Sequence, residues 1–239
     1  IGFCFCGLYV TAESWLNNAT TSENRGQALS LYMVVQMTGV VAAQGLLVLG
    51  DPSGYILFVI PSILVSLAFT PILLSVSPTP PFESTKPMSL KELYGVSPLG
   101  CVGMLLLGGV FSARFRIAAV FATQAGLSVS EISIFIATIY VGALVLQFPI
   151  GFVSDRIDRR ILILACSAVG GAAALFYFMV GGGFSMLLVV AFIVGGTSNP
   201  LYALLLAYTN DYIDYEDMPA ASGGLLLING IGALAGPLI

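Results

Sequence analysis

Apolar residues in this chain come in long blocks separated by short polar breaks, without the every-second-residue alternation of a half-buried strand. Blocks at roughly 27–49, 55–76, 98–123, 132–153, 161–181 and 185–208 each reach the ~20 residues that a helix needs to cross a hydrocarbon core. Residues 1–16 have the character of the tail of a further block, and those from 223 onward of the start of another. Because the chain opens and stops inside apolar runs, it is expected to be a piece missing both ends. Backbone in lipid must satisfy its own hydrogen bonds, so only helices or closed barrels span a bilayer. A barrel would need short alternating segments. The expected fold class is therefore all-α and polytopic.

The breaks divide the chain further. The long one, 77–97, carries Pro78, Pro80, Pro81 and Pro87, and it marks a boundary between a bundle at 1–76 and a second bundle at 98–239. Within it, Ser89-Leu-Lys-Glu92 matches a capping box, which predicts a short surface helix. The linker is read chiefly as a tether.

Composition makes the bilayer the solvent. The chain is 58% hydrophobic with a mean hydropathy of +1.00, beyond the roughly half expected of soluble domains. The 12 acidic and 8 basic residues lie almost entirely between the apolar blocks, so the net charge of −4 says little about partners. No basic patch interleaved with aromatics exists, which removes nucleic acid as a partner. Cys4, Cys6, Cys101 and Cys166 sit in apolar runs with no CxxC pair, as small hydrophobes rather than a disulfide or metal frame. The chain has no histidine, so imidazole acid–base chemistry and ligation are unavailable within it. No metal or other cofactor is expected.

Basic residues alternate between loops. Arg25, then Lys86 and Lys91, then Arg156, Arg159 and Arg160 occupy the first, third and fifth loops. The intervening loops around Asp51, at 126–131 and at 181–183 have none. By the positive-inside rule the basic loops are cytoplasmic and the protein sits in an inner (plasma) membrane. The seventh loop, 209–222, should share that side although it holds Asp211, Asp214, Glu216 and Asp217 without a base. Acidic residues weigh little in the rule.

The most polar of these breaks is Gly151-Phe-Val-Ser-Asp155-Arg156-Ile-Asp158-Arg159-Arg160, five charges in its last six residues. It predicts a tight, wet turn between spans, with Gly151 allowing close helix approach. The turn resembles the loop signature of the major facilitator superfamily, roughly G-x-x-x-D-R-x-G-R-R, with Asp158 in place of the second glycine. Two further stretches, Tyr9-Val-Thr-Ala-Glu13-Ser-Trp15-Leu-Asn17 and Asn24-Arg25-Gly26 followed by Leu31-Tyr32-Met33, are similar to the YcaD-type bacterial subgroup. The resemblance implies two six-helix bundles rocking about a central cavity. The present chain would cover about helices four to eleven of twelve, with four, seven and ten lining the cavity. It also implies that Asp155 and the arginines latch against a neighbouring helix end; the plainer alternative is topology-setting charge. Asp158 adds a competing partner for Arg159 or Arg160.

Five polar residues inside the apolar blocks, Glu13, Gln36, Arg116, Asn199 and Tyr202, are candidates for the solute or proton path. Glu13 lies beside Trp15, an interfacial anchor, and is either a proton site or a shallow clamp paired with Arg25. Arg114 and Arg116 lie about 24 Å along their helix, toward the outer side. Residues two apart point about 200° apart. Gly109, Ser112, Arg116 and Thr123 form a polar stripe, which favours Arg116 for the cavity and leaves Arg114 to snorkel or pair nearby. A cavity arginine suits an anionic solute, a gate or snorkelling equally. Asn199 and Tyr202 flank Pro200, whose missing N–H makes either a solute site or a packing kink. Gln36, with Tyr32, is polar at similar depth, where hydrogen bonding within the bundle is an equal explanation. Gly230, Gly232 and Gly236 predict close helix packing.

The function expected is secondary active transport of a small solute by alternating access, coupled to a proton or ion gradient, since no GxxxxGK[ST] nucleotide loop is present. The partners are then the solute, the gradient and the lipid bilayer. A transporter fold acting as sensor or scaffold, or a membrane-embedded enzyme, is the alternative. An enzyme would need a clustered acid, base or metal set.

Overall fold

The computed structural model describes residues 12, 25–49, 54–74, 88–154, 156–214 and 217–236. Its elements are α1 (Arg25–Leu49), α2 (Ile56–Leu74), α3 (Leu90–Val96), α4 (Pro98–Ser112), a π-turn (Ala113–Ile117), α5 (Ala118–Gln124), α6 (Val129–Ser154), α7 (Arg159–Val180), α8 (Phe184–Asn210) and α9 (Met218–Ala235). There is no strand among the described residues. Four of these helices are long and apolar enough to cross a membrane, or five if the bent α3–α4 pair is one span. The architecture is all-α. Helical contacts divide the chain into two compact units, 1–84 and 85–239.

The first unit contains α1 and α2, and α2 carries Pro61 and Pro71 inside it. The second unit is built on α8, against which α6, α7 and α4 pack, with α9 lying on α4. Glycines set the α4–α9 distance. A Cβ at Gly108 or Gly232 would overlap the backbone carbonyl of Asn229 or Leu105, so the two helices touch backbone to backbone. The buried Asn229 side chain uses this proximity, donating from Nδ2 to the Met104 carbonyl at 3.0 Å. Gly230, by contrast, faces open space, so the predicted three-glycine interface narrows to Gly232 and Gly236.

The linker helix forms as its capping box predicts. Ser89 N–H donates to Glu92 Oε2 at 2.9 Å, and Glu92 N–H to Ser89 Oγ at 3.3 Å. These bonds hold the exposed Glu92 carboxyl below its usual range. Leu93 is fully buried in the core beneath α3, alongside Met104, Leu205 and Leu225. The chain then bends by 114° into α4. Ser97 caps that helix, and its Oγ lies 3.0 Å from Thr209 Oγ1 near the end of α8.

The block at 98–123 differs from expectation, because it is not one continuous α-helix. Its ladder changes at Ala113–Ile117, where Ala118 N–H reaches the Ala113 carbonyl five residues back. Composition gives no sign of this, since the five residues there are ordinary helix formers.

Candidate functional site

The polar turn joins α6 to α7 and grips the far end of α8. Asp158 caps α7, its Oδ1 accepting the Arg160 N–H at 2.8 Å, rather than competing for a guanidinium. Arg159 donates from Nε to Ser154 Oγ at 3.3 Å and forms an ion pair with Asp211, just past the end of α8. Arg160 donates to the Tyr212 hydroxyl at 2.6 Å, with its guanidinium over the Tyr208 ring at 5.4 Å. Tyr208 and Tyr212 pack edge to face at 5.1 Å. Arg156 turns back on its own helix, donating to the Phe152 carbonyl at 3.0 Å and stacking on the Phe152 ring. Ser154, Arg156, Asp158, Arg159, Tyr208, Asp211 and Tyr212 line an open cavity of about 360 Å³. The acidic seventh loop thus contributes the counter-ion for the basic fifth loop.

Gly151 does not sit at the expected close helix contact among the described residues: no atom lies within 4 Å of the position a Cβ would take there. The reason is that α6 packs along α8 rather than along α7. The tight contact falls at Gly142 and Gly195, where a Cβ would overlap backbone of the opposing helix. Asp155 and Glu13 lie outside the described residues, as does the side chain of Arg116.

A second polar cluster lies deep in the same unit. Arg114, on the π-turn, donates from NH1 to Ser198 Oγ at 2.8 Å and from NH2 to Asn199 Oδ1 at 3.1 Å. Its guanidinium also stands 4.9 Å from the Phe111 ring centre and 5.5 Å from that of Tyr140. An arginine at the bilayer centre costs about 2.5–3.5 kcal/mol on insertion scales. Two hydrogen bonds from a charged donor, each worth about 1.5–3 kcal/mol, cover that cost. Ser198 passes its own proton to the Val194 carbonyl at 2.6 Å. Pro200, next along α8, lacks an N–H, so the carbonyl four residues back loses its helical donor.

The depth of Arg114 also corrects the sequence reading. Asn199 is 11 residues, about 16 Å, from the Asn210 end of α8 and 15 residues, about 22 Å, from its Phe184 start. The guanidinium therefore lies near mid-span, not toward the outer side. Helical side chains lean toward the N-terminus of their helix, and a long arginine on α4's continuation hangs back along it. The stripe Gly109, Ser112, Arg116, Thr123 assumed unbroken 3.6-residue periodicity, which the π-turn interrupts. Single-turn π-bulges are frequent at functional sites.

One polar atom in this cluster stands out. Arginine has no acceptor, so its bond to Asn199 fixes the carboxamide with oxygen toward Arg114. The other end, Nδ2, is buried and has no hydrogen-bond partner among the described residues. A buried donor left so costs about 1–3 kcal/mol. Tyr202 is half-buried and packs against the apolar cluster beneath α3. Gln36 is half-buried on α1, in the other unit.

Comparison with known proteins matches the Major Facilitator Superfamily model over residues 99–239, more than half of the chain. The chain belongs to the major facilitator superfamily. It is 26% identical over 234 residues to the "Uncharacterized MFS-type transporter YcaD" of Escherichia fergusonii, covering 96% of this chain and 60% of that protein. A Yersinia enterocolitica protein, "Uncharacterized MFS-type transporter YE1530", is 28% identical over 237 residues with the same coverage. The Escherichia coli YcaD protein is 26% identical over 237 residues. The chain thus spans about 60% of the length of these curated relatives. No solved structure matches it. Family and helices together make it a multi-pass membrane protein of a transporter family.

Proposed function

We propose that this chain supplies helices four to eleven of a twelve-helix secondary transporter, with residues 1–76 in one bundle, 77–97 as a cytoplasmic linker and 98–239 in the other. The carrier moves a small solute across an inner membrane by alternating access, driven by a proton gradient. One observation carries the reading. Helix α8 has the polar turn's arginines clasping its end and the Asn199–Pro200 break at its middle, held by Arg114. A rigid element with a separable contact at one face and a polar position at mid-depth is what a rocking bundle requires.

In this reading the Arg159–Asp211 and Arg160–Tyr212 contacts, together with the Asp155 carboxylate that the signature supplies, close the cytoplasmic face in one state and part in the other. Glu13 carries the coupled proton, and Arg116 remains a further pathway candidate with Gln36 and Tyr202. The test is solute uptake by the full-length protein in proteoliposomes under an imposed pH gradient. Asp155→Asn should cut uptake sharply with insertion unchanged. Glu13→Gln should abolish its response to the gradient. Full uptake by the first variant sinks the latch, and retained gradient coupling in the second removes Glu13 from the proton path.

A further inference from the structure

We propose that the linker helix α3 is an anchor on the bilayer surface, with Leu90 and Tyr94 at the boundary of headgroups and acyl chains and Lys91 on a lipid phosphate. This requires a membrane but not transport, so it stands apart from the carrier reading above. Depth is the first argument. The helix that α3 leads into runs from Pro98 through the π-turn to Gln124. That is about 40 Å at 1.5 Å per residue, against a hydrocarbon core of about 30 Å. A centred helix of this length emerges by about 5 Å at each end, into the headgroup layer. The 114° bend then sets α3 within about 25° of perpendicular to the span, so it lies close to the plane of the membrane.

Orientation is the second argument, because α3 cannot roll. Leu93 has no exposed surface and sits among Met104, Leu205 and Leu225. Each of these lies inward from its helix end on this face, so Leu93 points toward the bilayer centre. The capping box and the Ser97–Thr209 contact hold the two ends of α3. At 100° per residue, Leu90 stands about 60° from Leu93, Tyr94 about 100° and Lys91 about 160°, all round the same flank. Leu90 is 41% and Tyr94 54% exposed. Lys91 is exposed and has no ion pair among the described residues. Gly95, with open space about its Cβ position, points to water. The flank thus rises from leucine through tyrosine to lysine as depth decreases. A lipid leaflet has that gradient, with tyrosine at headgroup level and lysine reaching up to phosphate. A protein partner would impose no such order of depth.

The test uses the full-length protein in phosphatidylcholine nanodiscs. Tyr94→Trp and Gly95→Trp each add one indole to α3 at an exposed position, and emission above that of the unsubstituted protein is followed. The lipid carries acyl chains brominated just below the glycerol, and acrylamide serves as the quencher in water. The added emission of Tyr94→Trp should be blue-shifted and quenched by brominated lipid. That of Gly95→Trp should be unshifted and quenched by acrylamide. The anchor is overturned if the Tyr94→Trp emission answers only to acrylamide, which places the flank in water. It is equally overturned if that emission answers to neither quencher, which places the flank under protein, or if both positions respond alike. Hydrogen exchange at 90–96 reads the lysine. Replacing part of the phosphatidylcholine with phosphatidylglycerol should slow exchange by about 5-fold, the effect of one cation at an anionic surface. Lys91→Gln should lose that slowing. Slowing that persists in Lys91→Gln, or is absent from the unsubstituted protein, overturns the phosphate contact.

Discussion

The clasp between the polar turn and the end of α8 should act as a weak, separable contact, and its strength can be worked out. Side-chain exposures are 24% for Arg159 and 48% for Asp211, so water screens the pair. Exposed ion pairs contribute about 0.2–1 kcal/mol. Arg160 adds a bond to Tyr212 and a cation–π contact with Tyr208, the latter worth about 0.5–1 kcal/mol at an exposed site. The whole clasp is then worth about 1–2 kcal/mol, enough to shift a two-state ratio by about 5- to 30-fold without locking it. The perturbation is a double-mutant cycle, Arg159→Gln and Asp211→Asn, singly and together. Single-molecule fluorescence between labels on the two helical units, with the full-length protein in nanodiscs, reads the ratio of states. The pair's coupling should be about 0.2–1 kcal/mol, so that each single variant shifts the ratio and the double shifts it by less than their product. Raising salt toward 1 M should shrink the coupling, because the Debye length falls to about 3 Å. Strictly multiplicative effects at low salt would refute the pairing as a working contact.

Packing and capping yield three more expectations. Gly108→Ala and Gly232→Ala should each destabilise the protein by about 1–3 kcal/mol in thermal melts, since the new methyl meets backbone that cannot move aside. Gly171→Ala, in open space on α7, should be neutral or stabilising by up to about 1 kcal/mol; equal losses at all three would show that the α4–α9 contact is not close. The carboxyl of Glu92 is held below its ordinary value of 4.5, chiefly by the Ser89 backbone N–H. Its contribution to α3 is therefore fully present above about pH 4.5 and lost as pH falls through the lowered value. Hydrogen exchange at 90–96, corrected for intrinsic rates, should accelerate on acidification, and in Glu92→Gln it should be faster at neutral pH; unchanged protection in both would exclude the cap. Pro200→Ala should restore a helical hydrogen bond and keep or raise stability while lowering solute uptake; unaltered uptake would make the proline a packing feature only.

The residues that sequence alone placed well are those whose signal is local. Apolar runs ending at charged or glycine breaks located α6, α7 and α8 within a few residues, because span length and lipid exposure are written into composition. Ser89 and Glu92, three apart, announced their own cap. In the block at 98–123 the sequence reading and the structure part because periodicity presumes a uniform helix. A single π-turn at Ala113–Ile117 interrupts the phase of the stripe, and the stripe that favoured Arg116 is drawn across it. The side-chain lean that brings Arg114 down to Asn199 likewise lies beyond a count of residues. Gly151 drew attention through its place in a motif, yet α6 meets α8 at Gly142, and nothing in a one-dimensional pattern distinguishes a glycine that faces a helix from one that does not.

The same comparison explains why α8 carries the argument. Its partners are 52 residues away at Arg159 and Arg160, and 84 and 85 away at Arg114. Such pairings fix two separate elements, α7 and the π-turn, onto one helix. Each pairing alone is weak or neutral in net energy, for the exposed clasp is screened and the buried arginine spends its bonds on offsetting desolvation. Stability must come instead from the apolar seams at Leu204, Leu205 and Ala191 and from glycine contacts with α6. A helix whose grip on its neighbours is apolar along its length and polar only at its end and at Ser198–Asn199 can change those polar contacts without unfolding. Polar contacts so arranged set which state is occupied, while the apolar seams ensure that both states are folded.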